Sequence, residues 1–285
     1  MARPDATRRA LRVHTRKSLW TLVTLLVAIA FSYPFFLTLI TSVKPEDEII
    51  NNPFALPHSI SLGAYRTAWN VLDFGTLLEN SLIYAGVGAL IATLLAIVPA
   101  YAFSRLHLLG RRTLFMLLLT TLMLPQQTVL IPLYGLLNDT STLNTRAGLI
   151  AIHAAYGFPL QLLILAGFLS SLPRDIEDAA HIDGCGDVSM LRHVVIPLSL
   201  PAMAVGFLLN FVGIWKEFIF ALTFLSANNV LPITTGLLKF TNAQYFSSFA
   251  LPAAAVVLAQ IPMLIVFLAA NRWMTQGIYA GSVKG

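Results

Sequence analysis

The sequence predicts an all-α membrane protein that crosses the bilayer six times, on two observations. Of its 285 residues, 57% are hydrophobic and only 11% are charged, whereas soluble domains carry about 25% charged residues. Six apolar runs also reach the length of about 20 residues that a spanning helix needs. The basic residues gather at the ends of these runs and not in a stripe between aromatic residues, which favours a membrane protein over a nucleic-acid-binding protein.

The six runs divide the chain into a short basic segment, residues 1–17, and one transmembrane domain, residues 18–285. The first run is too long for the apolar core of a secretory signal, about 7–15 residues, so we expect it to remain as a membrane anchor. Pro125 breaks the third run, and the fifth run contains two charges. The predicted spans are about 18–43, 80–104, 113–136, 147–170, 200–225 and 248–271.

The distribution of lysine and arginine predicts that both termini lie on the cytoplasmic side. With the N-terminus inside, the cytoplasmic segments hold 13 of the 18 basic residues, the outer segments hold four, and Lys216 lies within a span. Positive charge accumulates on the cytoplasmic side of membrane proteins. The chain between the fourth and fifth spans, about 173–197, is then cytoplasmic.

The motifs of common catalytic and metal sites are absent from the sequence. No lysine follows a glycine, which excludes a P-loop for ATP, and zinc-protease, Cys-x-x-Cys and Gly-x-Ser-x-Gly patterns are missing as well. We therefore expect no catalytic residue, no metal site and no cofactor bound by this chain. His153, the one histidine within a predicted span, could act as a proton relay or ligand, or donate a hydrogen bond in helix packing.

The segment about 173–197 is charged and punctuated by glycine, unlike the apolar runs on either side. Pro173 suits the first turn of a helix, and three acidic residues follow near the positive end of the helix dipole. Ala179 and Ala180 favour the helix, and their small side chains let another surface approach its backbone. We expect a short helix that lies across the cytoplasmic face.

Gly184 and Gly186 are expected to end this helix and to permit a reversal of the chain. Asp187 can then cap a second helix from Val188 to Ile196, before prolines mark the start of the fifth span. Composition by itself favours an ordinary solvated loop, but the order of the residues indicates a specific role.

The order of residues in this segment resembles the EAA motif of ABC-importer permeases. That motif reads Glu-Ala-Ala, three residues, Gly, nine residues, then Ile-x-Leu-Pro. Here Asp178, Ala179 and Ala180 begin the pattern, Gly184 comes at the required spacing, and nine residues separate it from Val194–Pro197. The sequence departs from the motif with Asp for Glu, Val for Ile and Ile for Leu.

Four further stretches are similar to sugar permeases of the maltose-transporter inner-membrane type. They match that family's second helix, its third helix with the following loop, its Trp-Asn-Asp/Glu-Phe sequence and its Gly-Ala-Val-Lys-Gly ending, with Lys216 in place of the usual Asn. The resemblance covers roughly residues 15–285. It implies the six-helix fold of ABC type I importer (MetI-like) permeases. The matching stretches are 80–106, 123–150, Trp215–Phe218 and Gly281–Gly285.

The resemblance implies a permease subunit that moves a sugar from a binding protein across the bacterial cytoplasmic membrane by alternating access. A separate ATPase dimer would bind ATP and Mg, and it would drive the spans through the docked EAA helix. The other implied partners are a second homologous permease, an extracytoplasmic sugar-binding protein and membrane lipid, with no nucleic acid. The residues implied in ATPase coupling are Glu177, Asp178, Ala179, Ala180, Asp183, Gly184, Ile196 and Pro197.

Several polar or aromatic side chains at membrane depth are candidates for the translocation path. Two adjacent charges in the fifth run either line the path or pair with neighbouring helices, because charges within a span usually face protein or water. Two glutamines that follow the helix-breaking proline either line the path or hold helices together. A tryptophan and an asparagine are added because sugars stack on aromatic rings and bond to amides. The candidates are Asn210, Trp215, Lys216, Glu217, Gln126 and Gln127.

Three other functions are weighed against this interpretation. An ABC permease for another solute, such as glycerol phosphate, is poorly separated from a sugar permease by sequence. A secondary transporter would work without an ATPase and usually shows more spans or inverted repeats. An intramembrane enzyme would need a nucleophile with its base, or a metal cluster, at membrane depth. The EAA spacing, the six spans and the lack of an obvious repeat disfavour the secondary transporter, and no such pair or cluster appears in the sequence to support the enzyme.

Overall fold

The computed structural model describes the backbone of residues 4–241 and 248–282, and the side chains of residues 20–240 and 248–269. Within these residues the chain is helical and forms no β-strand. The side chains of the basic segment 1–17 and of the closing Gly281–Gly285 motif lie outside the described part. The α-helices are α1 (Pro4–Val43), α2 (Glu46–Asn51), α3 (Gly63–Leu72), α4 (Phe74–Arg105), α5 (Arg111–Thr120), α6 (Gln126–Asp139), α7 (Arg146–Ser171), α8 (Asp175–Ile182), α9 (Asp187–Met190), α10 (Ile196–Trp215), α11 (Ile219–Phe224), α12 (Ile233–Gly236) and α13 (Ala250–Ser282).

Five helices in the described residues are long and apolar enough to cross a membrane, and a bent pair makes six if its two arms count as one span. These helices overlap the predicted spans, although α4 begins at Phe74 rather than near residue 80 and the fifth span differs at both ends. The spans are Trp20–Val43, Phe74–Arg105, Arg146–Ser171, Asp187–Trp215 and Ala250–Ala269, with Arg111–Met123 and Gln126–Asp139 as the bent pair.

The third predicted span is not one straight helix, because its two arms are bent by 100° relative to each other. Pro125 lies at the bend in an extended conformation, immediately before α6. A proline disfavours the helical conformation of the residue before it, here Leu124, which explains why the helix ends there. The hydroxyl of Tyr156 donates a hydrogen bond of 2.8 Å to the carbonyl of Leu124. This bond satisfies a backbone group that the break releases inside the membrane.

The predicted extent of the fifth span, 200–225, is wrong at both ends. The helix ends at Trp215, and the next three residues are not helical before α11 begins. At its other end the helical chain extends back to Asp187 and includes a π-helical turn, Leu191–Val195. Lys216 and Glu217 therefore lie at a break between two helices and not inside one.

A stripe of alanines on α4 forms the centre of the bundle. Its members are spaced three or four residues apart and therefore share one face of the helix, and all are completely buried. α4 packs most extensively against α7 and next against α10. Small side chains let helix backbones approach closely in a membrane, where no hydrophobic force drives helices together. The alanines are Ala85, Ala89, Ala92, Ala96 and Ala100.

Two glycines allow α7 and α10 to interlock through polar side chains. A Cβ on Gly157 of α7 would lie 2.8 Å from Oδ1 of Asn210, and a Cβ on Gly206 of α10 would lie 2.0 Å from Oε1 of Gln161. Gln161 is completely buried, and its amide has no hydrogen-bond partner among the described residues. The space in front of Gly206 is therefore filled by an amide that has little freedom to move.

The first turns of α4 hold the segment between α11 and α12. The amide of Asn80 donates to the carbonyls of Asn229 and Leu231, at 3.0 and 2.9 Å. The hydroxyl of Tyr84 donates to Val230, at 2.6 Å, and the amide of Ile233 donates to Ser81. These bonds fix a segment whose placement the sequence leaves open, while residues 242–247 of the same loop lie outside the described part.

The described residues up to Ala68 and from Ser248 to Val257 form a compact unit of their own, apart from residues 69–241 and 258–282. In this unit the carboxylate of Glu46 accepts hydrogen bonds from Ser248 and from the amides of Phe249 and Ala250, which open α13. A carboxylate is favoured at a helix N-terminus, because four amides there lack partners within the helix.

Two other side chains fix the loop that follows α1. The buried ammonium of Lys44 donates to the carbonyls of Asn52 and Ala55. The amide of His58 donates to Glu48 and holds the pKa of that exposed carboxyl below its usual range. The loop after α1 is thus organised by charges that bond to the backbone.

The interlock between Gly206 and Gln161 predicts that Gly206→Ala destabilises the bundle. Overpacking a dense core costs about 1–3 kcal/mol, and the added methyl group would overlap the buried amide of Gln161. Thermal unfolding in detergent should therefore show a lower Tm. Gly213→Ala, on the same helix, is the control because no atom lies within 4 Å of its Cβ position. Equal melting temperatures for the two variants would contradict the interlock.

Candidate functional site

The segment between α7 and α10 contains the short exposed helix that the sequence predicts. α8 begins at Asp175, two residues after Pro173, with three acidic residues in its first turn. After the helix, Gly184 adopts a φ of +86°, a conformation that favours glycine. The amide of Cys185 then bonds to the carbonyl of Ala180, at 3.0 Å, which closes the turn. The predicted helix and the reversal at Gly184 are both confirmed.

The second part of this segment differs from the prediction. Gly186, and not Asp187, is the N-cap residue of α9, and no side chain caps that helix. Instead of a separate second helix, α9 continues through the π-helical turn into α10. Pro197 lies in the first turn of α10, where its missing N–H is best tolerated. Ile196 and Pro197 are therefore part of one continuous span that starts at Asp187.

Glu177 forms an ion pair inside the protein and is not free on the surface of α8. Its Oε1 lies 2.6 Å from Nε of Arg105, the last residue of α4, and the two side chains are 15% and 6% exposed. Arg105 also donates from Nη2 to the carbonyl of Leu172, at 2.9 Å, just beyond α7. One guanidinium thus joins the ends of α4, α7 and α8.

The outer face of α8 combines an acid, a small residue and an exposed apolar residue. Asp178 and Ala179 are exposed, as is Asp183, whereas Ala180 is half-buried against the core. Ile182 is 87% exposed. Of the two alanines that the sequence suggests for close approach, only Ala179 is available to another surface.

Sequence reasoning missed the apolar part of this surface. Ile182 and Val188, which is 81% exposed, flank the glycine turn. Their signal is visible in the sequence, because an isoleucine four residues after Asp178 lies on the same face of a helix. Exposed apolar side chains next to charges are typical of a protein–protein contact.

A polar cavity of about 230 Å³ lies between α7, α10 and the bend before α6. The cavity lies about 20 Å from the Ser171 end of α7, because Gly157, one of its lining residues, is separated from Ser171 along the helix at 1.5 Å per residue. Four predicted path residues line it, Asn210, Lys216, Glu217 and Gln126, whereas Trp215 and Gln127 do not. The other lining residues are His153, Tyr156, Gly157, Gly213, Ile214 and Phe220.

Asn210 and Glu217 both have structural partners at the cavity. Asn210 is 5% exposed and donates from Nδ2 to the carbonyl of Gly157, at 3.2 Å. The carboxylate of Glu217 accepts hydrogen bonds from the amides of Phe220 and Ala221, at 2.7 and 3.3 Å. Glu217 thereby caps the N-terminus of α11. Its carboxylate is paired with amides three and four residues later in the sequence and not with a neighbouring span.

The remaining candidates differ in their access to the cavity. Lys216 is exposed and forms no ion pair with any described residue. Gln126 is half-buried, whereas its neighbour Gln127 is exposed on another face of α6. Trp215 stacks on Phe211, with ring centroids 5.8 Å apart and planes 18° from parallel. Its ring is therefore a packing element of α10.

The sequence did not single out the aromatic wall of the cavity. Tyr156 meets Phe220 edge to face, with centroids 5.2 Å apart, and His153 lies between Tyr84 and Phe220. The ring of His153 is buried and forms no hydrogen bond in the described part of the chain, so the predicted role as a packing donor is not seen. These residues come from separate helices, which is why spacing did not reveal them.

No group of three or more histidine, cysteine, aspartate or glutamate side chains among the described residues is arranged to hold a metal ion. The described sites are instead a polar cavity within the bundle and an exposed helix at one end of it. Polar groups at membrane depth usually mark the route of a solute or ion. The fold and these two sites define a helical membrane transport protein.

Comparison with known proteins identifies the family. The model of the family described as "Binding-protein-dependent transport system inner membrane component" matches residues 88–278. The chain belongs to this family and is a permease subunit of an ABC importer, a multi-pass protein of the cytoplasmic membrane.

Two relatives and one solved structure illustrate the similarity. A probable ABC transporter permease of Pyrococcus horikoshii is 33% identical, over 90% of this chain and 94% of its own. The melibiose/raffinose/stachyose import permease MelC of Bacillus subtilis is 31% identical, over 93% and 96%. A chain of a bacterial ABC transporter that imports alginate has the same fold, with a TM-score of 0.79, 23% identity and coverage of 91% and 96%.

The ion pair between Arg105 and Glu177 predicts strong coupling in a double-mutant cycle. Arg105→Met and Glu177→Met should each lower stability, because each leaves a mostly buried charge without its partner. The double variant should lose less than the sum, with an interaction energy of about 0.5–3 kcal/mol from unfolding in detergent.

The pair Arg146–Glu79 is a matched control for this cycle. Its atoms are 3.4 Å apart and its side chains are 39% and 62% exposed. Exposed pairs contribute about 0–1 kcal/mol, so the same cycle should show weak coupling there. Additive effects at Arg105 and Glu177 would mean that the ion pair does not join these helices.

Proposed function

We propose that this chain is the membrane subunit of an ATP-driven sugar importer and that α8 transmits the motion of a separate ATPase to the spans. The observation that carries the proposal is the exposed face of α8, backed by the ion pair between Glu177 and Arg105. A surface that couples two subunits must offer side chains to its partner and be joined firmly to the part that moves.

The structure of the segment supports different roles for two faces of α8. Asp178, Ala179, Asp183 and the exposed Ile182 would contact the ATPase, and Gly184 would set the angle of the helix. Glu177 would act on the other side, where it connects α8 to α4. A displacement of α8 would then act directly on Arg105 through this ion pair and would move the end of α4, the central helix of the bundle.

In this proposal the chain itself has no catalytic site. ATP and Mg would bind to a cytoplasmic ATPase dimer, because the sequence has no P-loop. Both termini and α8 would face the cytoplasm, as the distribution of basic residues predicts. The cavity would then lie in the outer half of the membrane, on the side from which a binding protein delivers the solute.

A second permease subunit fits the exposure of α1. No side chain from Trp20 to Thr41 is buried within this chain, although the helix is strongly apolar. A helix that is apolar on all sides needs lipid or another subunit around it. A companion permease would cover part of this helix.

Sugar as the solute is supported by the cavity and by the relatives. Hydroxyl-rich solutes need polar partners beside flat apolar surfaces, and the cavity offers Asn210, Gln126 and Glu217 next to Tyr156 and Phe220. Relatives are named for melibiose, raffinose and stachyose import, for diacetylchitobiose uptake and for transport of starch degradation products.

A related solute that is not a simple sugar is the second candidate. Relatives with about the same identity are named for sulfoquinovosyl glycerol and for osmoprotective compounds. Lys216 favours this reading, because an exposed cation at the cavity suits an anionic solute such as a glycerol phosphate or a sulfonated sugar. Uptake assays with neutral and anionic sugars would separate the two.

The coupling role predicts that Ala179→Arg abolishes import while the protein still inserts and folds. A long charged side chain on the exposed face of α8 would block close approach of the ATPase. The measurement is ATP hydrolysis stimulated by the binding protein in proteoliposomes, together with co-purification of the ATPase. Ala179 is a sharper test than Ala180, which packs against the core.

His107→Arg is the control for added charge, because His107 is exposed in the neighbouring connection between α4 and α5. It should leave stimulated hydrolysis within about twofold. Normal hydrolysis and ATPase recovery in Ala179→Arg would contradict docking through α8.

The cavity predicts different effects for two adjacent glutamines. Gln126→Ala removes a lining amide and should lower the rate of uptake at subsaturating solute by about 2- to 10-fold, the value of one neutral hydrogen bond. Gln127→Ala changes an exposed amide outside the lining and should have an effect within about twofold. Initial uptake rates in proteoliposomes provide the measurement, and equal rates for both variants would remove the cavity from the path.

A further inference from the structure

A groove of about 360 Å³ lies between α5 and α7, separate from the polar cavity. Aromatic side chains line one side of the groove and residues of α7, including Gly167, line the other. On the aromatic side, the ring centroids of Phe103 and Phe115 are 5.5 Å apart. No atom lies within 4 Å of the Cβ position of Gly167. The groove is therefore open along the backbone of α7.

Two arginines stand at one end of this groove. Arg111 and Arg112 are the first residues of α5, are exposed, and form no ion pair with an acidic side chain in the described part of the chain. None of the residues that line the groove is acidic. The first turn of a helix favours anions and disfavours cations, so this end of the groove holds concentrated and unneutralised positive charge.

The groove lies beside a helix surface that no other part of the described chain covers. α5 has no buried residue, and Leu114, Met116 and Leu117 on its surface are exposed. Just before the arginines, Leu109 is 99% exposed. Arginines beside apolar side chains can lay their stems on apolar surface and keep their charged heads at the headgroups.

We propose that the groove binds one anionic phospholipid, with its phosphate at Arg111 and Arg112 and an acyl chain between α5 and α7. The wall of the groove on α7 runs from Leu163 to Ser170, which is about 10 Å at 1.5 Å per residue. The groove is therefore long enough for part of an acyl chain. Basic pockets between spans at the cytoplasmic side are a recurrent way to bind acidic headgroups. Charge complementarity thus favours a lipid over an apolar helix of another subunit as the occupant.

The test compares lipid retention by the full-length protein and its variants. Protein in detergent is given equal amounts of phosphatidylglycerol and phosphatidylethanolamine, and bound lipids are read by native mass spectrometry. The wild type should retain phosphatidylglycerol preferentially. The variant with Arg111→Gln and Arg112→Gln should lose affinity by about fivefold for each arginine removed.

Two further variants separate a specific site from general attraction to positive charge. Arg174→Gln with Arg192→Gln removes the same charge from exposed positions on the same side and should leave retention unchanged. Gly167→Phe keeps both arginines but fills the groove, and it should also lower retention, with an unchanged Tm as the check on folding. Equal loss in both arginine pairs would overturn the proposal in favour of diffuse attraction.

A photoreactive side chain at Gly167 identifies the occupant in the assembled importer. The proposal expects cross-links to phospholipid in membranes that contain phosphatidylglycerol. Cross-links to a companion permease instead, or equal retention of both lipids by the wild type, would overturn it.

Discussion

The close approach of α4 to α7 and α10 is the constraint on which the rest of the structure depends. It is possible because five completely buried alanines, from Ala85 to Ala100, form a stripe of small side chains along α4. In a membrane, helices do not associate to escape water, so short backbone distances and dispersion contacts must supply the stability. Gly157 and Gly206 extend the same rule to α7 and α10, where polar amides fill the space that their missing side chains leave.

Besides this central packing, α4 bonds near both of its ends to segments that are not long spanning helices. At one end Asn80 and Tyr84 hold the chain that follows α11. At the other end Arg105 holds α8 and the end of α7. In the proposed coupling, a rigid helix joined at both ends would be a suitable element for relaying a displacement through the bundle.

The sequence predicted much of this arrangement from local features. Hydropathy found the spans, because a spanning helix must be apolar for about 20 residues. The spacing of Asp178 and Gly184 identified the segment that contains the exposed helix. The helix is followed by a left-handed turn at Gly184, a conformation that favours glycine and therefore leaves a signal in the sequence. The sequence did not reveal that Glu177 pairs with Arg105, since Arg105 lies 72 positions earlier in the chain. The predicted N-cap role of Asp187 was wrong, because α9 already begins at Asp187 and Gly186 is its N-cap residue. The π turn that joins α9 to α10 is likewise not visible in hydropathy.

By itself the sequence determined the class of protein, the number of apolar runs, the break at Pro125 and the glycine turn, since each follows from composition or from the conformational limits of single residues. Only the tertiary structure decided which polar groups meet. It turned Glu217 into a helix cap, gathered Asn210, Gln126 and Tyr156 around one cavity, and set Arg111 and Arg112 beside an open groove. The cavity and the groove depend on distances between separate helices, which local sequence patterns do not specify, and the hydrogen bonds of Glu217 depend on where α10 ends and α11 begins.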